Sequence, residues 1–568
     1  MTQDVAPAVP PGVVAGDFSG TTYRYAGVAA LMHRDGAGRF VMSFASERDP
    51  RAPVVDAVVV RAVGSRRYQQ YLAEVDGALW RLPLAFHIEE NRWFHMNGAF
   101  LTADPDPGVA ALDRSDGAPR FGGGAFDRHV TRWNDNCVFC HNVAPNPGRD
   151  STTGAFVTSV AELGIACEAC HGPGAEHVRV NADPLRRYAL HRSAPAGDPS
   201  IVNPARLSPN RSADLCGRCH GQRMTDDLAA VMTHGDPFVP GDDLALYSAP
   251  LWRDTSLRGQ AGVFAARFWD DDTPRLTAYE YQGLLQSRCA QRGALTCIGC
   301  HGMHEGNPRG QIRPVARGDG ACTSCHAHLT GPAEIARHTR HNPAGPGARC
   351  VSCHMPRIVY GVLDAHPSHR IEIPDPARAI AARRPDACTL CHVDESRAWA
   401  VNARARLWPA STDAAATSAP SGASVGASRS DPFDDHLAPR DAIFAGDPVF
   451  RAVAVDAMGR APVPSEPAAA DRARNERAGA LLDVMAGDRY PAVRHLAARA
   501  LAGLIATRQP SVAQQASAFD ATASEADRVR ALAELRRGLS LPAASGPEAA
   551  RITVLRAEAA QADIDIGE

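Results

Sequence analysis

One pentapeptide pattern, Cys-x-x-Cys-His, occurs seven times and constrains this chain more than anything else in it. The copies are Cys137/Cys140/His141, Cys167/Cys170/His171, Cys216/Cys219/His220, Cys297/Cys300/His301, Cys322/Cys325/His326, Cys350/Cys353/His354 and Cys388/Cys391/His392. They consume fourteen of the fifteen cysteines. Two cysteines three apart sit on one helical turn and can form thioethers to the two vinyl groups of a haem. The histidine that follows then points its imidazole at the iron. Zinc ribbons and knuckles also use Cys-x-x-Cys pairs, but a four-thiolate site has no use for a histidine after every pair. A thioredoxin-like redox motif would occur once, not seven times. The pattern therefore predicts seven covalently attached haem c groups, with His141, His171, His220, His301, His326, His354 and His392 as proximal ligands.

The motifs are densest from Leu295 to Pro356, where further histidines lie between them. Seven proximal ligands leave fifteen of the 22 histidines. If every iron takes two, the candidates nearest the motifs are His177, His234, His304, His328, His338, His341, His366 and His369, with His129 in reserve. His304 is three residues beyond His301, and His328 two beyond His326. A residue so close to a proximal ligand cannot reach the opposite face of the same porphyrin. If either ligates, it serves a neighbouring haem and straps the two together. The same holds more weakly for His177, which follows Gly172-Pro173-Gly174. Two histidine ligands give lower potentials than a histidine–methionine pair. Met303 and Met355 read as packing, and His436 and His495 lie outside the haem-bearing stretch. The unused cysteine, Cys289, reads as a buried thiol, with a role beside a haem as the alternative.

The chain is long enough, at 568 residues, for two to four domains. Residues 1–126 carry no motif and read as a small antiparallel β module. Apolar alternation shows at Phe40/Met42/Phe44 and Trp80/Leu82/Leu84/Phe86, with Asp35-Gly36 and Asp76-Gly77 at the expected turns. Its histidines, His33, His87 and His95, read as surface or packing residues. Residues 127–408 form the haem domain, mostly short helices and loops, with a helix expected around Gly331–His341 because Pro332 suits a first turn. Residues 409–432 are rich in Ala, Ser and Gly and read as a flexible linker. Residues 433–568 read as helical repeats of the HEAT type: Ala445–Ala461 echoes Ala486–Leu504, and Ser524–Leu539 is a third candidate. Each such unit must stack on a neighbour to bury its apolar face.

A net charge of −3 gives no broad electrostatic case for nucleic acid. No run of apolar residues is long enough for a transmembrane helix. Haem attachment through cysteine implies a periplasmic or extracellular location in bacteria. The first residues, MTQDVAPAVPPGVVAG, lack the basic start and apolar core of a signal peptide, so the expectation is a signal removed or a start misassigned.

Seven stretches carry a resemblance: RRYQQYLAEVDGALWRLPLAFHIEENRWFHMNG, WNDNCVFCHN, ACEACHGPGAEH, GDPFVPGDDL, EYQGLLQSRCAQRGALTCIGCHGMH, CVSCHMPRIVYG and RPDACTLCH. On these the chain resembles a family of bacterial multihaem cytochromes c joined to C-terminal HEAT or tetratricopeptide-like repeats. The likeness covers roughly residues 55 to 400. CVSCHMP is also similar to the wider superfamily of pentahaem nitrite reductases and hydroxylamine oxidoreductases, which implies stacked-haem packing. Many nitrite reductases bind their catalytic haem through Cys-x-x-Cys-Lys. All 60 basic residues here are arginine, so no such motif is possible. The tyrosine cross-link of the hydroxylamine enzymes is not assigned, although Tyr360 follows CVSCHMP.

The leading expectation is an electron carrier that works between redox partner proteins, possible docking sites being the helical repeats. The alternative is an oxidoreductase acting on a small nitrogen or sulfur oxyanion at one five-coordinate haem. A third is a haem-based sensor or scaffold. The residues name no catalytic group and no oligomeric state.

Overall fold

The computed structural model describes residues 2–6, 10, 12–104, 117–193, 197–304, 310–409, 438–559 and 564. The N-terminal part is an antiparallel sheet of nine strands: β1 (Thr2–Asp4), β2 (Thr21–Tyr25), β3 (Val28–Arg34), β4 (Phe40–Ser46), β5 (Val55–Val63), β6 (Tyr68–Val75), β7 (Ala78–His87), β8 (Arg92–His95) and β9 (Thr131–Arg132). Strands β2 to β8 pair in sequence order, β1 adds to β5 and β9 to β7. The alternation seen in the sequence is the buried face: Phe40, Met42 and Phe44 on β4, and Trp80, Leu82, Leu84 and Phe86 on β7, all lie in the core. Asp76 and Gly77 both take positive φ, 51° and 74°, in the two-residue turn joining β6 to β7. At the other hairpin the Asp35 carboxylate accepts from Ala37 N and Arg39 N, each at 2.9 Å. The sheet curls until its ends approach: Tyr23 Oη on β2 accepts from the His95 amide of β8 at 3.3 Å.

The middle of the chain is built differently. Its elements are short helices, none longer than the 11 residues of Arg397–Leu407, and two-stranded ribbons, and the apolar clusters confined to it are small, such as Ala213/Tyr281/Leu284 and Leu215/Phe238/Leu244. Thirteen of the seventeen exposed large apolar side chains among the described residues fall between 157 and 373. Many of its buried apolar side chains, Phe268, Trp269, Tyr279 and Tyr360 among them, belong to the cluster it shares with the C-terminal helices. The helix expected around Gly331–His341 runs Pro332–Thr339 and ends where Arg340 turns left-handed at φ 59°.

The C-terminal part is helical, with helices at Pro439–Ala445, Pro448–Arg460, Pro467–Gly487, Pro491–Ile505, Pro510–Ser517, Glu525–Leu539 and Gly546–Glu558. Proline opens five of them at the first helical position, where its missing amide costs nothing. The two Gly-Asp pairs seen in the sequence act together. Asp447 caps its helix through Val449 N at 2.9 Å, while Asp488 takes the buried Arg451 of that same helix at 2.8 Å. One apolar cluster runs from Ala85 through Tyr360 to these helices and Ile564, so the helical part packs directly on the sheet and the middle segment. Arg499 pairs with Asp364 at 2.7 Å across that boundary, and Tyr360 Oη of the middle segment donates to Ala99 O of the N-terminal part at 2.8 Å. No helix among the described residues is long and apolar enough to cross a membrane. The expected linker lies, from residue 410 on, outside the described residues.

Candidate functional site

The seven motifs share one local conformation. The amide of the motif histidine donates to the carbonyl of the first cysteine in His141, His171, His220, His301, His326 and His392, at 2.7–3.2 Å. In the seventh copy, Cys350–His354 is itself a helix. The spacing predicts this: residues i and i+4 lie one above the other, so the first cysteine and the histidine share a face. None of the fifteen cysteines is in a disulfide.

The motif thiols are not equally enclosed. Twelve of the fourteen are half-buried, whereas Cys167 and Cys325 are exposed. Of the two thiols expected to hold the fifth haem, Cys322 is set into the protein and Cys325 stands at its surface. The cause is local. The helix Gly320–Thr323 ends before Cys325, and residues 324–328 are all exposed. The turn itself is kept, since the Cys325 amide donates to Cys322 O at 3.2 Å.

Three motif histidines have one ring nitrogen engaged. Nδ1–H of His171 donates to Val202 O at 2.7 Å, that of His301 to Gly310 O at 2.6 Å, and that of His354 to Glu372 O at 2.8 Å. A carbonyl only accepts, so the lone pair of each ring is on Nε2, the arrangement a ligating histidine needs.

The histidines come in twos. Ring centres lie 5.9 Å apart for His171 and His304, 6.2 Å for His301 and His369, and 6.1 Å for both His338/His354 and His341/His392. The first three pairs are near-parallel, with interplanar angles of 19°, 23° and 11°; the last is tilted by 39°. An imidazole nitrogen bonds a metal at about 2.0–2.1 Å, so two imidazoles on opposite sides of one ion put their ring centres roughly 6 Å apart. In each pair one member belongs to a motif and the other is a distal candidate, so the residues fit a haem iron with two axial histidines. No group of three or more His, Cys, Asp or Glu side chains suited to a metal gathers among the described residues. His304 is set against the second motif, not the fourth, which it follows in sequence.

The thiols order the motifs in space. Cys140 lies within electrostatic reach of Cys219, which brings the first motif to the third. Cys170 lies within electrostatic reach of Cys216 and Cys219, bringing the second to the third. Cys216 lies within electrostatic reach of Cys297, linking third to fourth. Cys322 lies within electrostatic reach of both Cys300 and Cys350, and Cys353 within reach of Cys388 and Cys391. At the fifth motif these contacts involve Cys322. The sites form a line, third to seventh, with the first and second both meeting it at the third.

The remaining candidates are placed otherwise. His328 lies edge-on to His326 at 6.1 Å and 68°, only two residues away. His177 Nδ1 is held by Ser200 Oγ at 3.1 Å and faces Asp198 at 3.3 Å, leaving Nε2 uncommitted by these contacts. His234 ends the helix Leu228–His234, and Gly235 beside it packs on the Pro145 carbonyl of the loop after the first motif. His366 Nε2 lies 3.4 Å from Gly361 O, and burial holds its pKa below the usual value. His129 stacks on Phe100 at 4.3 Å and bonds Thr102 Oγ1 at 2.9 Å. His95 is buried, with its ring on Asn97 N and Phe126 O. His87 accepts from Glu90 N, and His33 sits on Ser43. His495 is buried between Arg92 and Glu90. Cys289 is half-buried within electrostatic reach of Cys322. His436 lies outside the described residues.

His141, His220 and His326 stand outside the four ring pairs. Burial pushes His141 down to about 4. His220 faces the Glu280 carboxylate, which pushes it up to about 9. Glu280 was not legible in the sequence, and neither were the carbonyls of Val202, Gly310 and Glu372, since any residue supplies a carbonyl. Trp399, 4.8 Å from His392, gave no signal either. No family model, curated protein or solved structure matches the chain.

Proposed function

We propose that this chain is a multihaem c-type cytochrome that carries electrons through seven covalently bound haems in periplasmic or extracellular respiration. The observation that carries this reading is the setting of four motif histidines against four distal candidates at ring separations of 5.9–6.2 Å. Bound haem supplies one-electron redox chemistry at an iron whose potential the axial ligands tune. His171/His304, His301/His369, His354/His338 and His392/His341 would hold four of the irons. The backbone carbonyls on His171, His301 and His354 fix the tautomer that presents Nε2. Thiol contacts between successive motifs bring attachment sites side by side, as a relay of carriers requires. The C-terminal helices, read as HEAT-like repeats, would offer a docking surface to a redox partner.

A second reading is favoured by one observation, that His141, His220 and His326 stand outside the four pairs. An iron held on one side alone would leave room for a small nitrogen or sulfur oxyanion.

Two measurements test these readings. The mass of the loaded protein should exceed that of the polypeptide by seven haems. The electron paramagnetic resonance spectrum of the oxidised protein should show only low-spin signals, unmoved by nitrite. A high-spin signal that shifts on adding nitrite would put the oxidoreductase reading ahead.

A further inference from the structure

This inference rests on the reading of His220 as an iron ligand. His220 closes the third motif, whose thiols reach those of the first, second and fourth. At His171, His301 and His354 the group on Nδ1 is a neutral carbonyl at 2.6–2.8 Å. At His220 it is a carboxylate: Glu280 Oε2 lies 3.6 Å from Nδ1.

Several contacts hold the carboxylate there. The Tyr281 amide donates to His220 O at 2.9 Å, strapping the helix Glu280–Gln286 to the motif by its first turn. Gln282 Nε2 donates to Gln222 O at 2.8 Å, just past the motif. The Glu280 Oε1 atom is anchored by Thr277 Oγ1 at 3.2 Å and Ala278 N at 3.3 Å. The other oxygen, Oε2, is buried and takes no hydrogen bond. It is the oxygen that faces the ring.

We propose that Glu280 is a positioning residue that gives the His220 imidazole more anionic character than its carbonyl-backed counterparts have. At 3.6 Å the carboxylate acts through its charge, and a negative charge beside Nδ1–H leaves more electron density on Nε2. A more basic ligand stabilises the oxidised metal, so the third centre has a lower potential than it would with a neutral partner. Because two short arms and the long line meet at this site, its potential sets how readily an electron crosses between them.

The test uses the full-length, haem-loaded protein and the variants Glu280→Gln and Glu280→Asp. Mass spectrometry first counts haems in each. Spectroelectrochemical reduction curves then resolve the centres. In Glu280→Gln one midpoint should move upward while the other centres stay in place. In Glu280→Asp the same midpoint should move less. Superimposable curves for wild type and Glu280→Gln, both carrying seven haems, overturn the proposal. If Glu280→Gln fails to load fully, Glu280→Asp decides, and an unmoved midpoint there overturns it. A wild-type count below seven points instead to failure of the underlying reading of the chain.

Discussion

The rings of His338 and His354 have their centres 6.1 Å apart and their planes within 11° of parallel, although sixteen positions separate them in sequence. The helix Pro332–Thr339 presents the first, and the turn Cys350–His354 the second. Burial keeps the His338 pKa below its usual value, which favours the neutral imidazole a metal needs. His338→Ala should therefore convert one low-spin centre to high-spin and leave the haem count at seven. Electron paramagnetic resonance checks this. An unchanged low-spin envelope would show that His338 ligates nothing.

Removal of a whole attachment site tests the motifs one at a time. The double variant Cys388→Ala/Cys391→Ala lacks both thiols of the seventh copy. It should load six haems, and the mass should fall by one haem beyond the change in side chains. The seventh site ends the line of thiol contacts, so signals from the first and second sites should be unaltered. A protein that still carries seven covalent haems would contradict the assignment.

How much of this was legible in sequence depended on periodicity. The β4 and β7 faces followed directly from alternation at Phe40/Met42/Phe44 and Trp80/Leu82/Leu84/Phe86, because a strand buries every second residue. The Asp76-Gly77 turn was equally plain, since few residue pairs accept two positive φ angles. Motif spacing gave the local turn at each Cys-x-x-Cys-His, because four residues span one helical turn. Spacing did not tell the half-buried Cys322 from the exposed Cys325, because exposure depends on where the helix ends and what surrounds it. Pairing was not legible either. Nothing near His304 indicates that it faces His171, 133 positions earlier, because that meeting depends on long-range packing. Glu280 was hidden for the same reason, 60 positions from His220. The echo of Ala445–Ala461 in Ala486–Leu504 was visible, but the ion pair joining Arg451 to Asp488 was not.

That ion pair supplies a stability prediction. Arg451 and Asp488 are 3% and 6% exposed at the side chain and meet at 2.8 Å. Arg451 also donates to Gly446 O. Arg451→Ala leaves a buried carboxylate without this partner, which costs about 3–5 kcal/mol. Replacing both residues with apolar ones of similar size, as in Arg451→Met/Asp488→Leu, should cost less than the single change. Denaturant unfolding of the loaded protein measures both. Equal losses would mean that the cost comes from altered packing and not from the stranded charge.

The other interface prediction concerns pH. His495, on the helix Pro491–Ile505, is buried against Arg92 and Glu90 of the sheet. Burial, with Arg92 adding to it, holds the His495 pKa down at about 4 against an ordinary 6.5. A histidine depressed in this way is neutral when folded but protonates in the unfolded chain below about 6.5. The unfolded state then binds more protons, so stability falls as pH drops from about 6.5 to about 4 and gains nothing further from this group below that. His95, pushed down to about 3 by burial, acts in the same direction over a window reaching slightly lower. The expected loss from His495 alone is on the order of 3 kcal/mol across its window. Thermal unfolding from pH 7 to pH 4 should show a falling midpoint. In His495→Gln the slope should flatten while the His95 contribution persists. An identical slope in the variant would mean that His495 accepts its proton in the folded state, with the Glu90 carboxylate outweighing burial and Arg92.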